Sequence, residues 1–267
     1  MKKYFAVSDV HSFYSPLMKA LNDKGFDKNN SDHLLIVCGD AFDRGSETKE
    51  MLSFLMEMSS QNRLIYVRGN HEDLLESCFT DMKHNRPLGT HHRTNGTILT
   101  IASISDYTEW DISYRTYEWK TVRESVERLL EFINNTCVDY FELGNTIFVH
   151  GWIPVEPAKD RYGFPTISDD WKNGDWREAR WPNGMQMWRF GLVPKGSTIV
   201  CGHWHCSYGW SHIDHKYKEF PNPSHADFNY SFKPYIREGI VAIDACTAFT
   251  GKVNCVVFNE QGEIINE

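Results

Sequence analysis

The stretch that most constrains this chain is residues 34–45, LLIVCGDAFDRG. Leu34, Leu35, Ile36 and Val37 make the short apolar run of a buried strand, and Gly39 ends it. Asp40, Asp43 and Arg44 follow at once. Charge packed against the end of a buried strand is costly unless it finds partners or a ligand. The arrangement recurs twice: residues 4–7 run apolar into Asp9 and His11, and residues 64–67 run apolar into Arg68, Asn70, His71 and Glu72. Loops at the carboxyl ends of neighbouring strands in an open α/β sheet converge on one crevice. The three clusters are therefore expected to face one point rich in oxygen and imidazole ligands.

Helical spacing fills the intervals. Pro16, Leu17, Met18 and Leu21 predict a short helix ending near Gly25. Met51, Leu52, Leu55 and Met58 predict a second over 47–60, and Leu74, Leu75, Cys78, Phe79 and Met82 a third over about 72–84. Strand and helix thus alternate as βαβαβα, the start of a parallel sheet. Residues 86–135 read as a largely helical insertion that closes with Val122, Val126, Leu129, Leu130 and Ile133. Strands at 139–143 and 146–149 flank the hairpin signal Gly144-Asn145, and the second ends on His150-Gly151. A helix is expected at 185–190. A strand at 198–201 ends in Gly202-His203-Trp204-His205, and strands at 240–244 and 253–258 close the chain around a turn at 250–252. Residues 153–183 and 209–238 read as long, aromatic-rich loops, of a length that is usually functional. No repeat or linker divides the chain, so one domain over 1–267 is expected.

Composition narrows the class. At 267 residues and 41% hydrophobic the chain can bury a real core. A net charge of −8, with no clustered Lys and Arg, argues against a nucleic-acid polymer as partner. The seven cysteines are odd in number and widely spaced, mostly within apolar runs. That is the pattern of free thiols in a reducing compartment. The first residues pass straight into a charged motif, and no apolar run reaches the roughly 20 residues of a membrane span. A cytoplasmic protein without a membrane partner is expected.

The strand-end residues Asp9, His11, Asp40, Asn70, His150, His203 and His205 are oxygen and imidazole donors suited to borderline divalent metals. They exceed what one ion needs. Two ions about 3.5–4 Å apart, with Asp40 as the bridging carboxylate, are expected, and such a pair activates water for in-line attack on phosphorus. His71 is then the acid for the leaving oxygen, Asp43 orients it, and Arg44 clamps the phosphate.

Five ordered motifs now resemble a known signature. Asp9-Val10-His11, Gly39-Asp40-Ala41-Phe42-Asp43-Arg44-Gly45, Gly69-Asn70-His71-Glu72, His150-Gly151 and Gly202-His203 are similar, in this order, to those of the calcineurin-like metallophosphoesterases. The second and third resemble the phosphoprotein phosphatase branch, which includes serine/threonine phosphatases, the phage lambda-type phosphatase and symmetrical diadenosine tetraphosphate hydrolases. Asn95-Gly96 and the 243–251 segment are softer matches to the same branch. The resemblance implies an α/β fold, a four-layer α/β/β/α sandwich of two mixed sheets with a dinuclear centre at the strand ends. It implies Asp9, His11 and Asp40 on one metal and Asp40, Asn70, His150 and His203 on the other. His205 matches a ligand of the first metal in the wider superfamily. In bacterial members a second phosphate-binding arginine follows a tryptophan before the last motif. Arg177 and Arg180 are the candidates here, and Arg180 is favoured. Ser8 and Ser12 stand where the family usually has glycine.

Blander readings compete at some positions. Cys201, His203, His205 and Cys206 could hold a structural zinc, but no second cysteine pair stands at the required spacing. The aromatics of the two long loops serve equally as substrate walls or as packing. The expected activity is phosphoester hydrolysis through a metal-bridging hydroxide, with manganese favoured over iron or zinc. The expected substrate is a serine/threonine phosphoprotein, the alternatives being a dinucleoside polyphosphate or small phosphorylated metabolite. A non-catalytic metal-binding module is the reading from another class.

Overall fold

Alternation at period two sorts the first strand between two cores. In β1 (Lys3–Val7), Phe5 and Val7 join a helix-side cluster while Tyr4 and Ala6 face a second sheet. The computed structural model describes residues 1–156, 163–220 and 229–265. After β1 come α1 (Tyr14–Asp23), β2 (His33–Cys38), α2 (Thr48–Ser60), β3 (Leu64–Val67) and α3 (Asn70–Lys83). The insertion follows as α4 (Thr90–Thr94), α5 (Thr97–Ser105), α6 (Glu109–Tyr114) and α7 (Trp119–Thr136). The second half contains β4 (Cys137–Val138), β5 (Phe141–Leu143), β6 (Thr146–Phe148), α8 (Trp176–Ala179), α9 (Gly184–Arg189), β7 (Thr198–Cys201), β8 (Tyr235–Arg237), β9 (Ile240–Ala242), α10 (Thr247–Thr250) and β10 (Val256–Phe258).

These strands form two mixed sheets, ordered β10-β1-β2-β3-β4 and β5-β6-β7-β9-β8. In the first, β1 to β4 are parallel and β10 is antiparallel to β1. In the second, β6, β7 and β9 are parallel, with β5 and β8 as antiparallel edges. One core lies between the outer face of the first sheet and helices α1 to α3, α5 and α7, holding Leu17, Leu35, Met51, Leu75 and Leu129. Ile36, Cys38, Val67, Phe148, Val200, Val241 and Phe258 fill the space between the sheets. Trp152, Met185, Ile199 and Tyr235 cover the far face of the second sheet. The result is the α/β/β/α sandwich that the motifs imply, and it aligns the carboxyl ends of β1, β2, β3, β6, β7 and β9.

Boundaries differ from expectation in ways that have causes. Helix α3 begins at Asn70, ahead of the expected 72, because the Glu72 carboxylate turns back to accept the Gly69 N–H at 2.8 Å. The expected closing turn at 250–252 is preceded by α10, and the two closing strands lie in different sheets. Nothing in an apolar run states which neighbour it will pair with. Strand β8 and the π-type turn Gly209–Ile213 lie inside the expected 209–238 loop, and α8 inside 153–183. The parts of those loops at 221–228 and 157–162 lie outside the described residues.

Candidate metal centre

The first two strand-end loops are zipped together by backbone. Asp9 N–H donates to the Gly39 carbonyl at 3.2 Å, His11 N–H to Asp40 at 3.0 Å and Ser12 N–H to Ala41 at 2.8 Å. To run this way the chain holds Asp9, His11, Ser12, Asp40, Asp43 and Arg44 at positive φ, and His203 and Cys246 likewise. Such backbone is strained for residues with a Cβ and persists only where neighbours enforce it. Gly39 has no alternative: a Cβ there would sit 2.7 Å from the Gly69 Cα.

Glu72 is the main enforcing group. Its buried carboxylate accepts Asp40 N–H and Ala41 N–H, each at 3.0 Å, Gly69 N–H at 2.8 Å and the Tyr66 hydroxyl at 2.6 Å. One side chain thereby ties the end of β2 to the end of β3.

Asp40 stands at the centre of what this builds. Its Oδ2 lies 3.9 Å from His11 Nε2 and 3.8 Å from His71 Nε2, and its Oδ1 3.3 Å from His150 Nε2. Two groups of donor atoms close enough to share an ion follow, His11 with Asp40 and His71, and Asp40 with His150 and His203. Burial raises the Asp40 carboxyl to about 6 against the pull of His150 and His71. Burial lowers His11 well below the usual imidazole range, and burial with His150 nearby takes His203 down to about 3. Both rings are therefore neutral at pH 7, the form that ligates metal.

The residues fit a pair of cations. His11 Nδ1 donates to the Phe42 carbonyl at 2.9 Å and His150 Nδ1 to the Cys38 carbonyl at 2.9 Å, which leaves both Nε2 atoms facing the centre. Around His150 Nε2 lie Asn70 Oδ1 at 2.8 Å and Asp40 Oδ1 at 3.3 Å. Three lone-pair atoms converging in a buried place match what a divalent ion requires.

His71 is held separately. Its Nδ1 meets Asp43 Oδ2 at 2.7 Å, and Asp43 also accepts the Thr97 hydroxyl at 2.9 Å and the Thr100 hydroxyl at 2.8 Å. Burial works against a charged His71, but the carboxylates of Asp40 and Asp43 outweigh it and raise the ring to about 9. Arg44 Nη2 lies 3.2 Å from His71 Nε2. A guanidinium only donates, so this contact belongs to the neutral ring with its proton on Nδ1.

A cavity of about 500 Å³ opens over the centre. Asp9, His11, Asp40, Asn70, His71 and Arg44 line it from the first sheet, and His203, His205 and Asp244 from the second. His150 is buried beneath them. Asp9 stands slightly apart from the two tight groups, its Oδ2 accepting the Ser8 hydroxyl and the His203 N–H. His205 reaches the wall but joins neither group; its Nδ1 pairs with Ser207 Oγ at 2.7 Å.

Arg180 is not brought to this cavity. Its guanidinium contacts Asp73 at 2.5 Å and Asp139 at 2.7 Å, and it borders a separate groove with Arg177. The expected phosphate-clamping role does not match that placement: Nη1 and Nη2 are paired with carboxylates away from the cavity, and Nε is buried without a hydrogen-bond partner among the described residues.

Several contributors escaped sequence reasoning. Thr97 and Thr100 carry no signal by residue type and act only because α5 docks on Asp43. Gly96 does carry one: its φ is +84°, and a Cβ there would lie 2.7 Å from the Arg44 Cα, so the Asn95-Gly96 match marks where the insertion touches the site. Asp244 lines the cavity with a carboxyl that burial and the nearby Asp9 raise well above the usual range. Trp181 and Trp204 complete the wall.

A sandwich with buried carboxylates and imidazoles at its strand ends defines a metallophosphoesterase-type protein. A profile of the calcineurin-like phosphoesterases matches residues 2–207, and the chain belongs to that family. It is 37% identical over 70 residues to serine/threonine-protein phosphatase 1 of Salmonella typhimurium, covering 26% of this chain and 30% of that protein. It is 25% identical over 124 residues to bis(5'-nucleosyl)-tetraphosphatase PrpE (asymmetrical) of Bacillus velezensis, covering 43% and 48%. The matches thus span less than half the length of these curated relatives. Among solved structures, a cold-active protein tyrosine phosphatase superposes with a TM-score of 0.54 at 14% identity, covering 99% of this chain and 78% of that one, which shows the shared fold.

Proposed function

We propose that this chain is a metal-dependent phosphohydrolase whose reaction takes place over Asp40. The observation that carries the proposal is the convergence of two histidine groups on that carboxylate, with the His71–Asp43 pair and Arg44 at the same cavity. Asp9, His11 and Asp40 would hold one divalent ion, Asp40, Asn70, His150 and His203 the other, with His205 as a further ligand of the first. Manganese is the metal we favour, since oxygen and nitrogen sites of this kind select by availability. When bound, such ions supply Lewis-acid charge and acidify water.

The protein's own groups do the rest. Arg44, exposed at the cavity edge, forms charge-assisted bonds to the phosphoryl oxygens. His71 gives its Nε2 proton to the leaving oxygen, while Asp43, fixed by Thr97 and Thr100, keeps Nδ1–H in place. Residues 1–267 act as one domain, because both halves contribute strands to the core between the sheets. The seven cysteines are free and no helix among the described residues is long and apolar enough to cross a membrane. The thiols support the reading of a cytoplasmic protein.

For substrate, a serine/threonine phosphoprotein is the reading that the motifs and the Salmonella relative support. A dinucleoside polyphosphate is the second, favoured by two exposed tryptophans at the cavity. The test is product-resolved hydrolysis of a phosphoserine peptide and of diadenosine tetraphosphate by manganese-loaded protein. Turnover that a chelator and Asp40→Asn both abolish is expected. Absence of turnover on any phosphorylated substrate by metal-replete protein would replace the proposal with the non-catalytic metal-binding module.

A further inference from the structure

Most tryptophans of the second half are used for packing, and their N–H groups show it. Trp152, Trp176, Trp188 and Trp210 each donate to a backbone carbonyl, at 2.8, 3.0, 2.9 and 3.0 Å. Trp181 and Trp204 differ on every count. They are 46% and 39% exposed, both line the cavity over Asp40, and among the described residues neither indole N–H has a hydrogen-bond partner.

Both are nonetheless held firmly. Trp181 meets the ring of His203 edge to face at 5.9 Å and follows Arg180, which Asp73 and Asp139 anchor. Trp204 meets Tyr208 edge to face at 5.8 Å and follows His203 directly. Exposed tryptophans on a surface are ordinary when scattered. Two of them, each next to a candidate metal ligand and facing one concave site, present rigid apolar planes where a phosphorylated substrate must lie. A cavity of about 500 Å³ is in the range that accommodates a ligand of mononucleotide size.

We propose that Trp181 and Trp204 form a clamp for a planar aromatic group carried by the phosphorylated substrate. This rests on the phosphohydrolase reading and, within it, places substrates with a ring near the phosphate ahead of the serine/threonine phosphoprotein, whose ester oxygen carries none. The ring is either an aryl group on the ester oxygen or a nucleobase one ribose away.

Calorimetric binding to manganese-loaded protein tests this without requiring turnover. The probes are phenyl phosphate and adenosine monophosphate, with methyl phosphate and ribose 5-phosphate as ring-free counterparts. The ring-bearing probe of at least one pair is expected to bind more tightly. Trp181→Ala and Trp204→Ala should each cut that advantage about 5- to 140-fold, the usual worth of one stacked ring, and Trp181→Phe should restore part of it. The pair that shows the effect identifies the ring's position. A merely structural disturbance of His203 would weaken both members of a pair alike, leaving the ratio unchanged, and that result overturns the clamp. So does equal affinity for ring-bearing and ring-free probes in the unaltered protein. Ring preference in a metal-replete protein that turns over no phosphorylated substrate would sustain the clamp while refuting the phosphohydrolase reading.

Discussion

Glu72→Gln keeps the shape of the side chain that ties the strand ends and changes only its donors and acceptors. In the native side chain Oε1 accepts Ala41 N–H and the Tyr66 hydroxyl, and Oε2 accepts Asp40 N–H and Gly69 N–H. Glutamine offers one oxygen and one NH₂. With the NH₂ on the Oε1 side, Tyr66 can rotate to accept, but Ala41 N–H faces another donor. With the NH₂ on the Oε2 side, Asp40 and Gly69 both lose their acceptor. The better arrangement still strands one buried N–H, at about 1–3 kcal/mol, and turns the other three charge-assisted bonds into neutral ones, at about 0.5–1.5 kcal/mol each. The sum, about 2.5–7.5 kcal/mol, corresponds to a fall of about 5–15 °C in Tm for a chain of this size. Thermal unfolding in chelator measures it, and a parallel manganese titration should show weaker binding, because the Asp40 and Ala41 N–H bonds hold Asp40 in its left-handed backbone. A variant that melts within about 1 °C of the parent and binds manganese equally well would refute the assignment of Glu72 as the tie.

Asp40→Asn should abolish manganese binding and turnover yet stabilise the metal-free protein at neutral pH. The folded carboxyl sits near 6, above its unfolded value of 3.8, so the native state holds the proton more tightly and stability falls as pH rises through that window. The variant lacks this slope, worth on the order of 3 kcal/mol, and an unchanged urea-midpoint profile against pH would contradict the burial argument. His71→Asn should retain metal and slow substrates with poor leaving groups most, by about 10²- to 10⁴-fold, whereas an equal loss across leaving groups would count against proton donation. Arg180→Ala should cost about 2–3 kcal/mol in urea unfolding, less than a fully isolated buried pair because Arg68 still holds Asp73, and a KM rise beyond about tenfold would return Arg180 to the phosphate.

The chain spells out its donors but not their enforcement. Asp9, His11, Asp40, Asn70, His71, His150 and His203 were legible because each follows an apolar run whose length and β-branching mark a core strand, and strand ends converge in any parallel sheet. The α/β start and the helical insertion were legible for the same reason, since side-chain period reports local structure directly. The partners of Arg180 were not legible, because a motif position specifies a residue type and not what it meets; Asp73 and Asp139, distant in sequence, pair with its guanidinium.

What the sequence determined by itself is therefore the set of chemical groups and the strands that deliver them, both fixed within a few residues of chain. Only the tertiary structure decided that Thr97 and Thr100 hold Asp43, that Glu72 locks two loops, that the closing strands part into different sheets, and that Trp181 and Trp204 face the cavity. Each of these depends on contacts between segments far apart in the chain. Hydrogen bonding and burial of that kind are set by which surfaces meet, and no local pattern of residues encodes the meeting.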